Sequence, residues 1–331
     1  MSIRIIAEAG VNHNGSLAVA KQLALTARQA GADIVKYQTF VPEKLASASA
    51  AKADYQKSET GAGESQVDML RKLALSFDEF RELKTYCDEI GIAFLSTAFE
   101  EQSVDFLYEL GMKLWKIPSG EVTNLPLIRR VAGYRQEIIL STGMCTLKEV
   151  GATVAELRSA SDAPLTLLHC TTSYPVPFDQ INLSAMDTLA ERFGLPVGFS
   201  DHSQGIAVAV AAAARGATVI EKHFTLDRGM EGPDHKASLE PAELAAMIAG
   251  IRQVEAALGD PRKQPTEAER AIMQVARKSI VASREIACGE VFTPENLTTK
   301  RPGTGLSPMR WDELMGRRAA RAFAKDELIC L

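Results

Sequence analysis

Residues Val197–His223 read VGFSDHSQGIAVAVAAAARGATVIEKH, and this stretch decides the fold. Val197–Ser200 is a short apolar run. Ile206–Arg215 is rich in alanine, the best helix former. Gly216 follows where a left-handed cap closes a helix. Thr218–His223 then returns to a short β-branched run. Strand, helix and strand in this order make a parallel crossover unit. Neither strand alternates apolar with polar, as expected of strands covered on both faces. Both end in polar residues, Ser200-Asp201-His202 and Glu221-Lys222-His223.

Working outward, the same alternation fills the chain. Further strands are expected at Ile3–Ala7, Asp33–Gln38, Ala93–Ser96, Leu114–Ile117, Glu137–Ser141 and Leu165–His169. Helices are expected at Leu17–Ala30, Phe77–Ile90, Glu101–Leu110, Leu147–Ser159 and Pro241–Leu258, with Gly31, Gly91 and Gly111 closing three of them. Eight such strands predict an α/β fold, a (β/α)8 TIM barrel. The rival is a doubly wound open sheet, but no GxGxxG follows the first strand. The aperiodic insert Val41–Gln66 reads as a lid or active-site loop. The barrel is expected over residues 1–259 and a Pro- and charge-rich linker over 260–276. A small β-rich domain is expected over 277–331, where short strands alternate with Gly/Pro turns.

The 331 residues carry a formal net charge of −5, which argues against nucleic acid or an anionic membrane as partner. Five scattered cysteines without a CxxC pair argue against a disulfide framework or a cysteine zinc site. With no signal-peptide pattern at the start and no apolar run of spanning length, the expected compartment is the cytoplasm.

Polar residues collect at the C-terminal ends of the expected strands, the rim where barrel active sites are built. Glu8, Lys36, Gln38, Thr97, Lys116, Ser119, Glu121, Ser141, Tyr174, Ser200, His202 and His223 all lie there or just beyond. His202 and His223 fall on adjacent strands and could share a divalent ion, with Glu8 and Asp234 as nearby carboxylates. They could equally be two polar histidines at loop mouths. Lys36 and Lys116 interrupt apolar strands, and a buried lysine needs an anion. A bound phosphate and carboxylate, or ion pairs with Glu8 and Glu121, would both meet that need. Glu8 and Glu121 are candidate proton carriers.

The runs IAEAGVNHNGS, VKYQTF, FLSTAF, WKIPSGE, ILSTGM, LLHCTTSYP, GFSDHS, IEKHFT and GPDHKAS resemble the sialic acid synthase family. The C-terminal KSIVASREIACGE and KRPGTG resemble that family's antifreeze-like (SAF) domain. The resemblance implies a barrel plus SAF domain in a domain-swapped homodimer. It also implies condensation of phosphoenolpyruvate with an N-acetylated amino sugar. The first expectation is N-acetylmannosamine, giving N-acetylneuraminate; the alternative is 2,4-diacetamido-2,4,6-trideoxymannose, giving N,N'-diacetyllegionaminate. A remote alternative is a non-catalytic polysaccharide-assembly protein. By the same resemblance, His202 and His223 would hold Mn2+, with Mg2+ or Co2+ as substitutes. Lys36, Thr97, Lys116, Ser119, Ser141 and Ser200 would bind phosphoenolpyruvate. Glu8 would handle protons, while Gln38, Glu121, Tyr174, Asp234 and Arg301 would contact the sugar. Thr172, where some members carry asparagine, and Val275–Lys278, where some carry phenylalanines, depart from the family pattern.

Overall fold

The computed structural model describes residues 2–47, 49–52, 63 and 65–330. They form two compact units, Met1–Gly259 and Asp260–Leu331. In the first, eight strands lie parallel: β1 (Arg4–Gly10), β2 (Ile34–Thr39), β3 (Ala93–Ala98), β4 (Leu114–Ile117), β5 (Glu137–Ser141), β6 (Leu165–Cys170), β7 (Val197–Asp201) and β8 (Val219–His223). Their order is β3-β2-β1-β8-β7-β6-β5-β4. The pairing of β1 with β8 is what a barrel requires and an open doubly wound sheet does not supply. β3 and β4, at the two ends of the order, pack side by side and complete the (β/α)8 ring.

Strand alternation sorts the side chains into two shells. One parity faces the helices. On β2 it carries Tyr37, whose hydroxyl donates to the Ala20 carbonyl of helix Leu17–Ala30 and whose ring stacks on Phe94 of β3. The other parity faces the barrel axis and carries the polar residues. Pairing register brings Glu8 level with both Lys36 and His223, Gln38 level with Thr97, and Ser200 level with Glu221. β1 runs past its expected end because its ladder slips at Ala9, passing from Glu8–Lys36 to Gly10–Tyr37. Gly10, at φ +52°, tolerates the resulting turn.

The helices follow the sequence expectation closely. Leu17–Ala30, Phe77–Ile90 and Pro241–Leu258 keep their expected bounds. Ser76 and Glu79 form a reciprocal capping box at the start of Phe77–Ile90, and Gly91 at φ +72° closes its end. The insert Val41–Gln66 holds the short helix Pro42–Leu45, while residues 48, 53–62 and 64 lie outside the described residues. Helix Gln66–Leu73 follows it.

In the second unit, β9 (Ser279–Ala282) and β10 (Leu297–Lys300) pair antiparallel, and single bridges join Val281 to Leu328 and Ile286 to Phe323. Ile280, Ile286, Phe292, Leu297 and Phe323 are central to a small apolar core. The stretch 260–276, expected as a linker, contains the helix Glu267–Ala276. Thr266 and Glu269 cap that helix reciprocally, a pattern the Pro- and charge-rich composition masked.

Candidate active site

The cavity at the C-terminal mouth of the barrel is lined by residues of strand ends and the loops after them. At its base, Lys36 and Lys116 are both buried. Lys36 Nζ lies 2.9 Å from Glu8 Oε2, 3.6 Å from Glu221 Oε1 and 3.3 Å from Thr97 Oγ1. Lys116 Nζ donates to Ser141 Oγ at 2.7 Å and stands 3.9 Å from Glu221 Oε2. The lysine partners are therefore Glu8 and Glu221, where the sequence reading had suggested Glu8 and Glu121. Glu221 shares the inward parity of β8 with His223, and that was the available signal.

Burial and charge set the protonation of this cluster. Burial, helped by the nearby Glu221 charge and opposed by Lys36, pushes the Glu8 carboxyl up to about 7. Burial works against the Lys36 charge, yet Glu221 and Glu8 outweigh it and hold its pKa above the ordinary lysine value. Burial lowers Lys116, with Glu221 opposing the shift and Lys36 adding to it. Gln38 Nε2 donates to Glu8 Oε1 at 3.1 Å and fixes the carboxylate from its other side.

On the β7–β8 side, the His202 and His223 rings stand 5.5 Å apart, with Tyr174 against both. His202 Nδ1 is 2.8 Å from the Thr171 carbonyl oxygen, which can only accept, so Nδ1 carries the hydrogen and Nε2 keeps its lone pair. Burial depresses the pKa of both imidazoles and keeps them neutral, as metal donors must be. His223 Nδ1 is buried without a hydrogen-bond partner, 3.9 Å from Asp234 Oδ2. Two neutral imidazoles with an unpartnered nitrogen are a donor set of the kind that suits a divalent ion. Among the described residues, no three His, Cys, Asp or Glu side chains are gathered for an ion, so Glu8 and Asp234 do not complete a ready-made cage.

A clamp outside the cavity steadies these histidines. Lys222 and Asp201, on the opposite parity, form a fully buried ion pair at 2.8 Å. Asp201 Oδ1 also accepts from Ser203 N and Oγ, and Lys222 donates to the Ser203 carbonyl. The turn that carries His202 is thereby tied to β8.

Ser119, Tyr174, Ser200 and Asp234 also line the cavity. Ser119 Oγ accepts from Gly143 N at 2.9 Å and touches Cys170 Sγ at 3.1 Å. A Cβ at Gly143 would meet Thr172 Oγ1 at 2.4 Å and Ser119 Oγ at 2.9 Å, so a larger residue there would push these cavity side chains aside. Thr172, one of the departures from the family pattern, lines the cavity too. Glu121 does not: it sits in the turn after β4 and accepts from Asn124, which caps the next helix. Arg301 belongs to the second unit, where its Nε donates to the Ala276 carbonyl at 3.0 Å. His169 points away from the cavity and bonds the Ile181 carbonyl oxygen at 2.8 Å. The apolar lining residues Val11, Met69, Leu70, Leu73 and Phe99 were not anticipated from the sequence. Val11 and Phe99 come from loops after strands, and Met69, Leu70 and Leu73 from the short helix that follows the insert.

The chain belongs to the NeuB family, whose model matches residues 23–263, and a SAF domain matches residues 277–330. It is 50% identical over 327 residues to the N,N'-diacetyllegionaminic acid synthase of Campylobacter jejuni, covering 98% of each chain. It is 45% identical over 323 residues to the enzyme of the same name from Legionella pneumophila, covering 96% of this chain and 90% of that one. A crystal structure of N-acetylneuraminic acid (sialic acid) synthetase from Leptospira borgpetersenii superposes with a TM-score of 0.73 at 32% identity, covering 82% of this chain and 90% of that one.

Proposed function

We propose that this chain condenses phosphoenolpyruvate with 2,4-diacetamido-2,4,6-trideoxymannose and water, giving N,N'-diacetyllegionaminate and phosphate. The observation that carries the reaction is one cavity holding two buried lysines, their hydroxyl neighbours and two neutral imidazoles. The choice of sugar rests on similarity: relatives at 50% and 45% identity bear the diacetyllegionaminic name, whereas the sialic acid synthetase stands at 32%. That balance moves the preferred sugar from N-acetylmannosamine, the first expectation, to the alternative.

Lys36, Lys116, Thr97, Ser119, Ser141 and Ser200 would hold the phosphate and carboxylate through charge-assisted bonds. In the free protein the two lysines face the carboxyl groups of Glu8 and Glu221, so an incoming trianion needs further positive charge or protons. A divalent cation, Mn2+ in this proposal, would be held by His202 and His223 and would polarise the sugar aldehyde as a Lewis acid. Carbon three of phosphoenolpyruvate bonds to the aldehyde carbon, whose oxygen takes a proton and becomes a hydroxyl. A water oxygen bonds to carbon two, and the carbon–oxygen bond to phosphate then breaks. Glu8, poised at about 7, can take the proton that this water gives up. Gln38, Tyr174 and Asp234 line the same cavity and would contact the sugar.

Phosphate release with Mn2+ and each sugar tests the proposal. A higher kcat/KM with the diacetamido sugar is expected. A higher value with N-acetylmannosamine would make the chain a neuraminate synthase, and no release with either would overturn the reaction.

A further inference from the structure

The cavity has two chemically different walls. Its base and β7–β8 side are strand ends that present charges, hydroxyls and imidazoles. Among the described residues, one stretch of its lining is apolar: Val11 after β1, Phe99 after β3, and Met69, Leu70 and Leu73 from helix Gln66–Leu73. These residues belong to an apolar cluster separate from the barrel core, built around the buried Phe40.

The wall is held in place by its surroundings. The helix begins at Ser65, whose hydroxyl accepts from Asp68 N, and Arg71 pairs with Glu43 on the neighbouring short helix. Its C-terminal end packs against the β1 loop so closely that a Cβ on Gly15 would stand 2.4 Å from the Lys72 carbonyl oxygen. Gly15 has φ +70°, so both its conformation and the close approach require glycine. Within the helix, Leu70 and Leu73 are three residues apart and Met69 and Leu73 four apart, which places all three on one face.

We infer that this wall is the determinant of sugar choice: it receives the deoxygenated end of the amino sugar, the carbon-six methyl, with the methyl of the second acetamido group beside it. This rests on the proposed condensation and deepens it. A carbon-six hydroxyl against Met69, Leu70 and Leu73 would lose its water, and among the described residues the apolar side chains of this wall offer it no strong hydrogen-bond partner. A methyl there loses nothing. An apolar pocket discriminates against an added hydroxyl by a factor on the order of 10 to 100.

The test compares three sugars with the full-length wild-type protein, phosphoenolpyruvate and Mn2+: N-acetylmannosamine, its 6-deoxy analogue and the diacetamido trideoxy sugar. The 6-deoxy analogue should exceed N-acetylmannosamine in kcat/KM at least tenfold. Equal values for those two would overturn the inference without any variant. Met69→Gln and Leu73→Asn, near-isosteric changes, should each shrink that preference at least fivefold while leaving the KM for phosphoenolpyruvate within about twofold. A preference unchanged in both variants, or an equal loss with every sugar, would also overturn it. Absence of phosphate release with all three sugars in the wild type is a separate result, and it would remove the condensation itself.

Discussion

At the scale of single residues, the site is governed by what burial does to charge. Lys116→Met should leave Glu221 without one of its two lysines and the anion without a ligand; kcat/KM for phosphoenolpyruvate should fall at least a hundredfold in steady-state assays. Asp234 offers a pH test. Burial raises its carboxyl from 3.8 to about 6, against the pull of Lys36. Because the folded-state pKa is raised, the folded protein holds this proton more tightly than the unfolded one. The associated stability is fully present below pH 3.8 and is lost as pH rises through 6. Asp234→Asn does not titrate, so its stability relative to wild type should grow from about pH 4 to 6 and then level off, by on the order of 3 kcal/mol. Denaturant unfolding across that range measures it, and a pH-independent difference would contradict it. The sequence made most of these residues legible, because polar side chains interrupting apolar strands stand out. Glu121 follows β4 in a turn, where strand parity no longer decides which way a side chain points, so its expected sugar contact does not follow from the strand pattern.

At the scale of elements, period-two alternation does the sorting. β8 sends Glu221 and His223 to the cavity and Lys222 to the outer shell. Both β7 and β8 were legible from their composition, but the Lys222–Asp201 clamp was not, since a sequence does not say which outward lysine meets which aspartate. Lys222→Met should strand a buried carboxylate and cost roughly 3–5 kcal/mol. Adding Asp201→Asn should recover part of that loss in the same unfolding measurement, and a double variant no better than the single one would contradict the pairing. Helix Gln66–Leu73 escaped the sequence reading because its apolar face packs against the loops and the cavity. It is also only 8 residues long, too short for its apolar spacing to stand out beside the insert that ends at Gln66.

At the scale of the whole molecule, the division after Gly259 was legible from the run of prolines and charges, while the helix Glu267–Ala276 beyond it was not. Asp260–Thr266 is exposed throughout, so trypsin should cut at Arg262 or Lys263 and yield a barrel fragment that retains its circular dichroism. Loss of that signal on cleavage would contradict independent folding of the first unit. The expected homodimer and the sugar contact of Arg301 are testable together: sedimentation should give a two-chain mass, and Arg301→Ala should raise the sugar KM without changing that for phosphoenolpyruvate. No helix among the described residues is long and apolar enough to cross a membrane. The measurement that bears most directly on the barrel as a condensing enzyme is phosphate release from phosphoenolpyruvate, with and without the diacetamido sugar, before and after a chelator. Release that needs both the sugar and a restored divalent cation, mole for mole with nonulosonic acid formed, is the predicted result. Release without any sugar, or none under any condition, would contradict it.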